Sequence, residues 1–113
     1  MQLPPFLTDL PALDIPFPET AVSTNAMRSE HGLMVFFTFH EDVHLPPHSH
    51  GAQWGTVIAG SVTLTMNGET RTYRPGECYD IPAGAEHAVE VPAGTIAFDI
   101  FEEADRYALK SGN

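Results

Sequence analysis

The side chains in this sequence best suited to chemistry are its histidines. Six are present against five Lys and Arg combined, and three of them, His44, His48 and His50, fall within seven residues. His48 and His50 stand at i and i+2. On an extended chain such positions face the same side, and two imidazoles so placed can chelate one metal ion. Pro46 and Pro47, directly ahead, favour extended backbone there. A third histidine, His87, closes the segment GECYDIPAGAEH at residues 76–87. An imidazole-rich site suits one divalent transition metal ion, Zn, Ni, Fe, Mn or Cu, and ligand type does not choose among them. His40 and His44 are candidates for a second ring of residues or an acid–base pair beside such a site. Their plainer reading is as polar positions at a strand end. Tyr79 and Tyr73 are candidates for an acidic hydroxyl in a cavity, with packing as the plainer reading.

These residues need a scaffold, and from residue 21 the pattern is all-β. Ala21–Arg28 and Leu33–His40 read as strands around a turn near residues 30–32. Within a longer expected strand, Thr56–Met66, the apolar Val62, Leu64 and Met66 alternate with Ser61, Thr63 and Thr65, the period of a half-buried strand. Asn67-Gly68 is a strong two-residue hairpin signal, because both residues tolerate positive φ. Thr70–Arg74 is the return strand. Cys78–Ile81, Ala88–Val91 and Thr95–Phe101 follow, separated by Pro-Ala-Gly turns at 82–84 and 92–94. So many short strands with frequent turns predict a sandwich or barrel. Residues 1–20 hold five of the ten prolines, so this arm cannot be a continuous helix or a central strand. It nevertheless carries Leu3, Phe6, Leu7, Leu10, Leu13, Ile15 and Phe17, and must lie on its own domain or across a partner subunit. Only Glu102–Lys110 reads as helical, with acidic residues first and a lysine last. The expected organisation is an N-terminal arm (1–20), one β-barrel domain (21–101) and a C-terminal tail or short helix (102–113).

At its two histidine segments the sequence resembles the cupins. Their first motif is a His-x-His pair followed by a Glu and then, after six intervening residues, a Gly. Here His48-x-His50, Gln53 and Gly60 stand at those places. Their second motif is a Gly, five residues, Pro-x-Gly, two residues, a His, and often an Asn. Gly76, Pro82, Gly84 and His87 match its spacing. The likeness extends over about residues 21–101. It implies an antiparallel jelly-roll β-barrel with a divalent metal held by His48, His50, Gln53 and His87. Gln53 stands where the family has Glu, after a spacer shorter than usual. Asp42 replaces a Gly, and Val91 replaces the Asn. Three neutral imidazoles and an amide leave a divalent ion at +2, where Glu would leave +1. Such a centre is a stronger Lewis acid, although an amide is a weaker ligand than a carboxylate. The competing reading of the three histidines is solvated or hydrogen-bonded polar residues. For Gln53 it is an amide turned away from the ion.

The remaining residues have plainer readings. Trp54 is out of phase with Gln53 and should face outward onto a covered surface, which suggests a homodimer contact or cover by the N-terminal arm. Cys78 reads as a small buried residue, Phe36, Phe37, Phe39, Phe98 and Phe101 as core, and His31 as a solvated turn residue. The face toward which Asp99 points depends on register. The net charge of −10 offers no field for a phosphate backbone, which argues against nucleic acid and against an anionic membrane surface. The N-terminus has neither a basic start nor an unbroken apolar core, so a cytoplasmic protein is expected. The resemblance implies a small enzyme of isomerase, lyase or dioxygenase type. Its substrate would be a small oxygen-rich carbonyl, sugar or carboxylate compound, and uronate-processing cupins have a three-His plus Gln site. The alternative is a non-catalytic module that binds or senses a metal or small ligand. A general acid or base beside the ion would separate the two, with His40, His44 and Tyr79 as the candidates.

Overall fold

The computed structural model describes residues 1–110 and is built almost entirely of antiparallel strands. After a single helical turn, α1 (Pro5–Thr8), come β1 (Leu13–Asp14), β2 (Val22–Ser29), β3 (Gly32–Phe39), β4 (Val43–His48), β5 (Gln53–Ala59) and β6 (Val62–Met66). They are followed by β7 (Glu69–Tyr73), β8 (Cys78–Ile81), β9 (His87–Val91), β10 (Ile96–Phe101) and β11 (Ala108–Leu109). Five strands pair in the order β2-β3-β10-β5-β8 and four in the order β4-β9-β6-β7, while β1 pairs with β11. The inner faces of these sheets enclose the core of a jelly-roll barrel. Leu33, Val35, Val57, Val62, Leu64 and Ile81 are all buried there.

The alternation set the strands, and local chemistry set their ends. Asn67 and Gly68 both have positive φ and close a hairpin in which Met66 pairs with Glu69. The single strand expected over Thr56–Met66 is instead two strands in different sheets, with the corner at Gly60. Gly60 has φ +79° and lies against Thr95, whose hydroxyl donates to the Ser61 carbonyl. A β-carbon at Gly60 would fall 2.7 Å from Thr95 Cα, so only glycine turns this corner. Strand β4, which contains Pro46 and Pro47, is not among the strands expected from the sequence. Among the described residues it pairs only with β9, at the edge of its sheet, and the register shifts between Leu45 and His48. An edge strand tolerates the missing N–H groups.

The arm lies on its own domain. Pro11 O accepts from Ala26 N at the free edge of β2, and the Asn25 side chain donates to the Thr8 and Leu10 carbonyls. Leu13 then turns inward and is buried with Ala26, Leu33, Val35 and Phe101. The helix expected over Glu102–Lys110 does not form. The Glu103 and Glu102 carboxylates accept from the backbone N–H groups of Gly51 and Ala52, and so brace the loop after His50 where a helix start would need them. Leu109 and Ala108 pair with Leu13 and Asp14. Residues 111–113 of the expected tail lie outside the described residues.

Candidate metal centre

Strand pairing brings the three motif histidines together. His48 ends β4 and lies opposite His87, the first residue of β9. His50 follows two residues later in the loop before β5, and its carbonyl accepts from the Gly84 N–H of the Pro-x-Gly turn. The two histidine segments are thus tied to each other by backbone. One ring nitrogen from each of His48, His50 and His87 lies within 4.8 Å of the others. Two nitrogens on one zinc ion can be at most about 4.2 Å apart, twice the usual bond length. The cluster therefore needs only a slight contraction to close on an ion.

The tautomers also suit a metal. Each Nδ1 faces a backbone carbonyl: His48 on Pro46 at 2.9 Å, His50 on Gly51 at 2.7 Å and His87 on Ala85 at 2.9 Å. A carbonyl only accepts, so each Nδ1 carries the proton and each Nε2 keeps its lone pair. Such backbone bonds are the usual means of orienting a metal-bound imidazole. Burial pulls His50 and His87 below the ordinary histidine value, partly opposed by these carbonyl bonds and aided by Arg106 and the neighbouring rings. They are neutral near pH 7, the form a metal requires. The donor set therefore fits a borderline transition ion.

Gln53, Tyr79 and Asp99 form a second group beside the histidines in the same cavity. Asp99 is buried on the inner face of β10, level with Gly55 of β5. Its Oδ1 accepts from Gln53 Nε2 at 2.9 Å and from the Tyr79 hydroxyl at 2.7 Å. With its amide nitrogen committed to Asp99, Gln53 has its oxygen left to engage elsewhere. Burial raises the Asp99 carboxyl to about 6 against the lowering effect of those two hydrogen bonds. Burial, and the Asp99 carboxylate beside it, push the Tyr79 phenol well above its usual range. Gly55 makes the space: a β-carbon there would fall on Asp99 Oδ1 and 2.5 Å from the Tyr79 ring.

Other expected positions lie elsewhere. His44 faces Glu90 at 3.4 Å with more than half its side chain exposed, and His40 is exposed against the Ser23 hydroxyl. Neither lines the cavity. His31 is exposed beside Glu30. Cys78 is exposed, because Tyr79 and Ile81 take the inward positions of β8. Phe36 and Phe98 belong to the outer face, where their tilted rings pack 4.6 Å apart, since Val35 and Asp99 hold the inward parity. Trp54 is on the outer face too, 40% exposed. Arg106 was not anticipated. Its guanidinium lies over Tyr107, and among the described residues its buried Nε has no hydrogen-bond partner.

The histidine site at the mouth of a two-sheet antiparallel barrel is a cupin arrangement. Residues 35–101, more than half of the chain, match the family described as "Cupin domain", and the chain belongs to that family. Over 62 residues it is 37% identical to the mannose-1-phosphate guanylyltransferase of Salmonella typhimurium, which is 55% of this chain but only 13% of that relative. An RmlC-like cupin from Shewanella frigidimarina superposes with a TM-score of 0.73 at 20% identity, covering 88% of each chain. KdgF from Halomonas sp. superposes with a TM-score of 0.67 at 19% identity, covering 82% of this chain and 87% of that one. At such identities the structural likeness is one of fold.

Proposed function

We propose that this cupin holds one divalent transition metal ion on the Nε2 atoms of His48, His50 and His87 and on the amide oxygen of Gln53, and that it is an enzyme acting on a small carbonyl or carboxylate compound. The observation that carries this reading is the convergence of three imidazoles, each locked by a carbonyl in the metal-ready tautomer, beside a buried carboxyl–phenol pair. The ion, when bound, would polarise a substrate oxygen and stabilise an enolate. The neutral ligand set favours isomerisation or lyase chemistry over dioxygenase chemistry. Asp99, with a carboxyl near 6, can take or release a proton close to neutrality. Tyr79 holds that carboxyl in place.

The non-catalytic reading has one observation in its favour: His40 and His44 stand outside the cavity, so proton transfer rests on Asp99 and Tyr79 alone. We further propose that the chain is a homodimer through the outer face of the five-stranded sheet. Met27, Met34, Ile100 and Trp54 lie opposite one another there across four neighbouring strands. The test of the metal centre is elemental analysis of the purified chain, with about one transition metal per chain expected and a large loss in His87→Ala. No metal, together with no uptake by the stripped protein, refutes it.

A further inference from the structure

The cavity containing the histidines is polar at one end only, and strand register explains why. Along the β4–β9 ladder the partners run His48 with His87, then Leu45 with Val89, then Val43 with Val91. His87, Val89 and Val91 share one face of β9, so this ladder leads from the histidines across about 13 Å of strand into apolar side chains. Phe39 closes that end from the facing sheet and Phe17 from the arm. Thirteen of the twenty described residues lining the cavity are apolar, and the polar ones other than Tyr107 are those already assigned to the histidine and Asp99 groups. The open space is about 90 Å³. An apolar cavity of about 150 Å³ takes benzene, so this one suits a chain of a few carbons and is too small for a ring.

Resting on the proposed metal centre, we infer that the site takes a short-chain aliphatic carboxylate or carbonyl compound. Its oxygens sit at the histidines and its alkyl chain lies along Val89, Leu45 and Val91. A polyhydroxylated chain would bury its hydroxyls against side chains that offer no donor or acceptor. The geometry therefore narrows the oxygen-rich substrate class to compounds with a polar head and an apolar tail.

The experiment uses the full chain loaded with Zn²⁺, its metal content measured first, and titrated with acetate, propionate, butyrate and threonate under NMR observation. Affinity should rise about fourfold per added methylene from acetate to butyrate. Threonate, butyrate with three hydroxyls, should bind more weakly than butyrate. Val89→Thr, a polar isostere, should flatten the gradient while leaving acetate binding in place. Leu45→Ala should shift the preferred chain to longer acids, and it serves as the second variant if Val89→Thr does not fold. A flat series on zinc-loaded protein, or threonate binding as tightly as butyrate, overturns the inference and leaves the metal centre standing. A chain that takes no zinc yet keeps the gradient overturns the metal centre and supports the apolar wall.

Discussion

Replacing Asp99 by Asn tests the electrostatics of the cavity with least disturbance of its shape. The amide oxygen of Asn can accept the same two hydrogen bonds, from Gln53 and Tyr79, but carries no proton to lose. In the folded chain burial holds the Asp99 proton up to about 6, whereas the unfolded chain releases it near 3.8. Between those values the native state binds more protons, so stability falls as pH rises through the window and the loss is complete above about 6. At 1.36 kcal/mol per pH unit, the interval from 3.8 to about 6 corresponds to about 3 kcal/mol. His50 and His87 act in the opposite direction: their depressed values cost stability as pH falls below the ordinary histidine range. That contribution is common to both proteins and drops out of the difference. The assay is urea unfolding of the metal-free wild type and Asp99→Asn, followed by Trp54 fluorescence, at intervals from about pH 4 to 7. The stability of the wild type relative to the variant should fall by about 2.4 kcal/mol between about pH 4 and 7, because the unfolded chain is already partly ionised at pH 4. A difference that stays level would mean that the two donated hydrogen bonds outweigh burial and that Asp99 is ionised throughout, which would remove it as a proton carrier near neutrality.

Gly55→Ala places a methyl group against the Asp99 carboxylate and the Tyr79 ring, and should cost about 1–3 kcal/mol by overpacking. Thermal unfolding reads this directly, and an unchanged Tm would show that the carboxyl–phenol pair moves aside freely. The outer-face row of Met27, Met34, Ile100 and Trp54 predicts a dimer by light scattering that Trp54→Glu converts to monomer. A wild-type monomer that persists at high concentration contradicts it.

Much of this architecture was legible because barrel strands are written in local signals. The alternation over 62–66, the Asn67-Gly68 turn and the Pro-Ala-Gly turns each act within a few residues, and the strands lie where these signals put them. The motif histidines were legible for the same reason: i and i+2 on extended chain is a local relation, and the resemblance linked it to His87. What could not be read is what depends on pairing between distant segments. Whether Asp99 faced inward was decided by its register with Gly55 and Val35. Glu102 and Glu103 carry a helix-start pattern, yet their carboxylates are used by backbone amides some fifty residues earlier in the chain. Phe36 and Phe98 have core composition but the wrong parity, and hydrophobicity alone does not reveal parity in a strand apolar on both faces. His40 and His44 drew notice through proximity in sequence to His48, but Val43 and Leu45 take the inward positions of β4 and His44 must point out.

The departure at position 53 also follows from a long-range pairing. A Glu there, as in the family motif, would set a carboxylate oxygen about where Gln53 Nε2 now sits, 2.9 Å from Asp99 Oδ1. Two unit charges at that separation repel by about 6 kcal/mol at an effective dielectric constant of about 20. With Gln the same contact is a donated hydrogen bond. In the proposed centre, the negative charge that a Glu would put directly on an ion would instead be held one residue further out, on Asp99, with the Gln53 amide between. A carboxylate bound to the ion would be a fixed charge. One on Asp99, with a carboxyl near 6, changes its protonation close to neutral pH. Gly55 belongs to the same arrangement, because any side chain there would occupy the space in which Asp99 meets Tyr79. Gln53, Gly55, Tyr79 and Asp99 thus act as one unit across three strands, β8, β5 and β10, that meet edge to edge. Substituting Glu at position 53 without also changing Asp99 would set two buried carboxylates against each other before either could serve a metal.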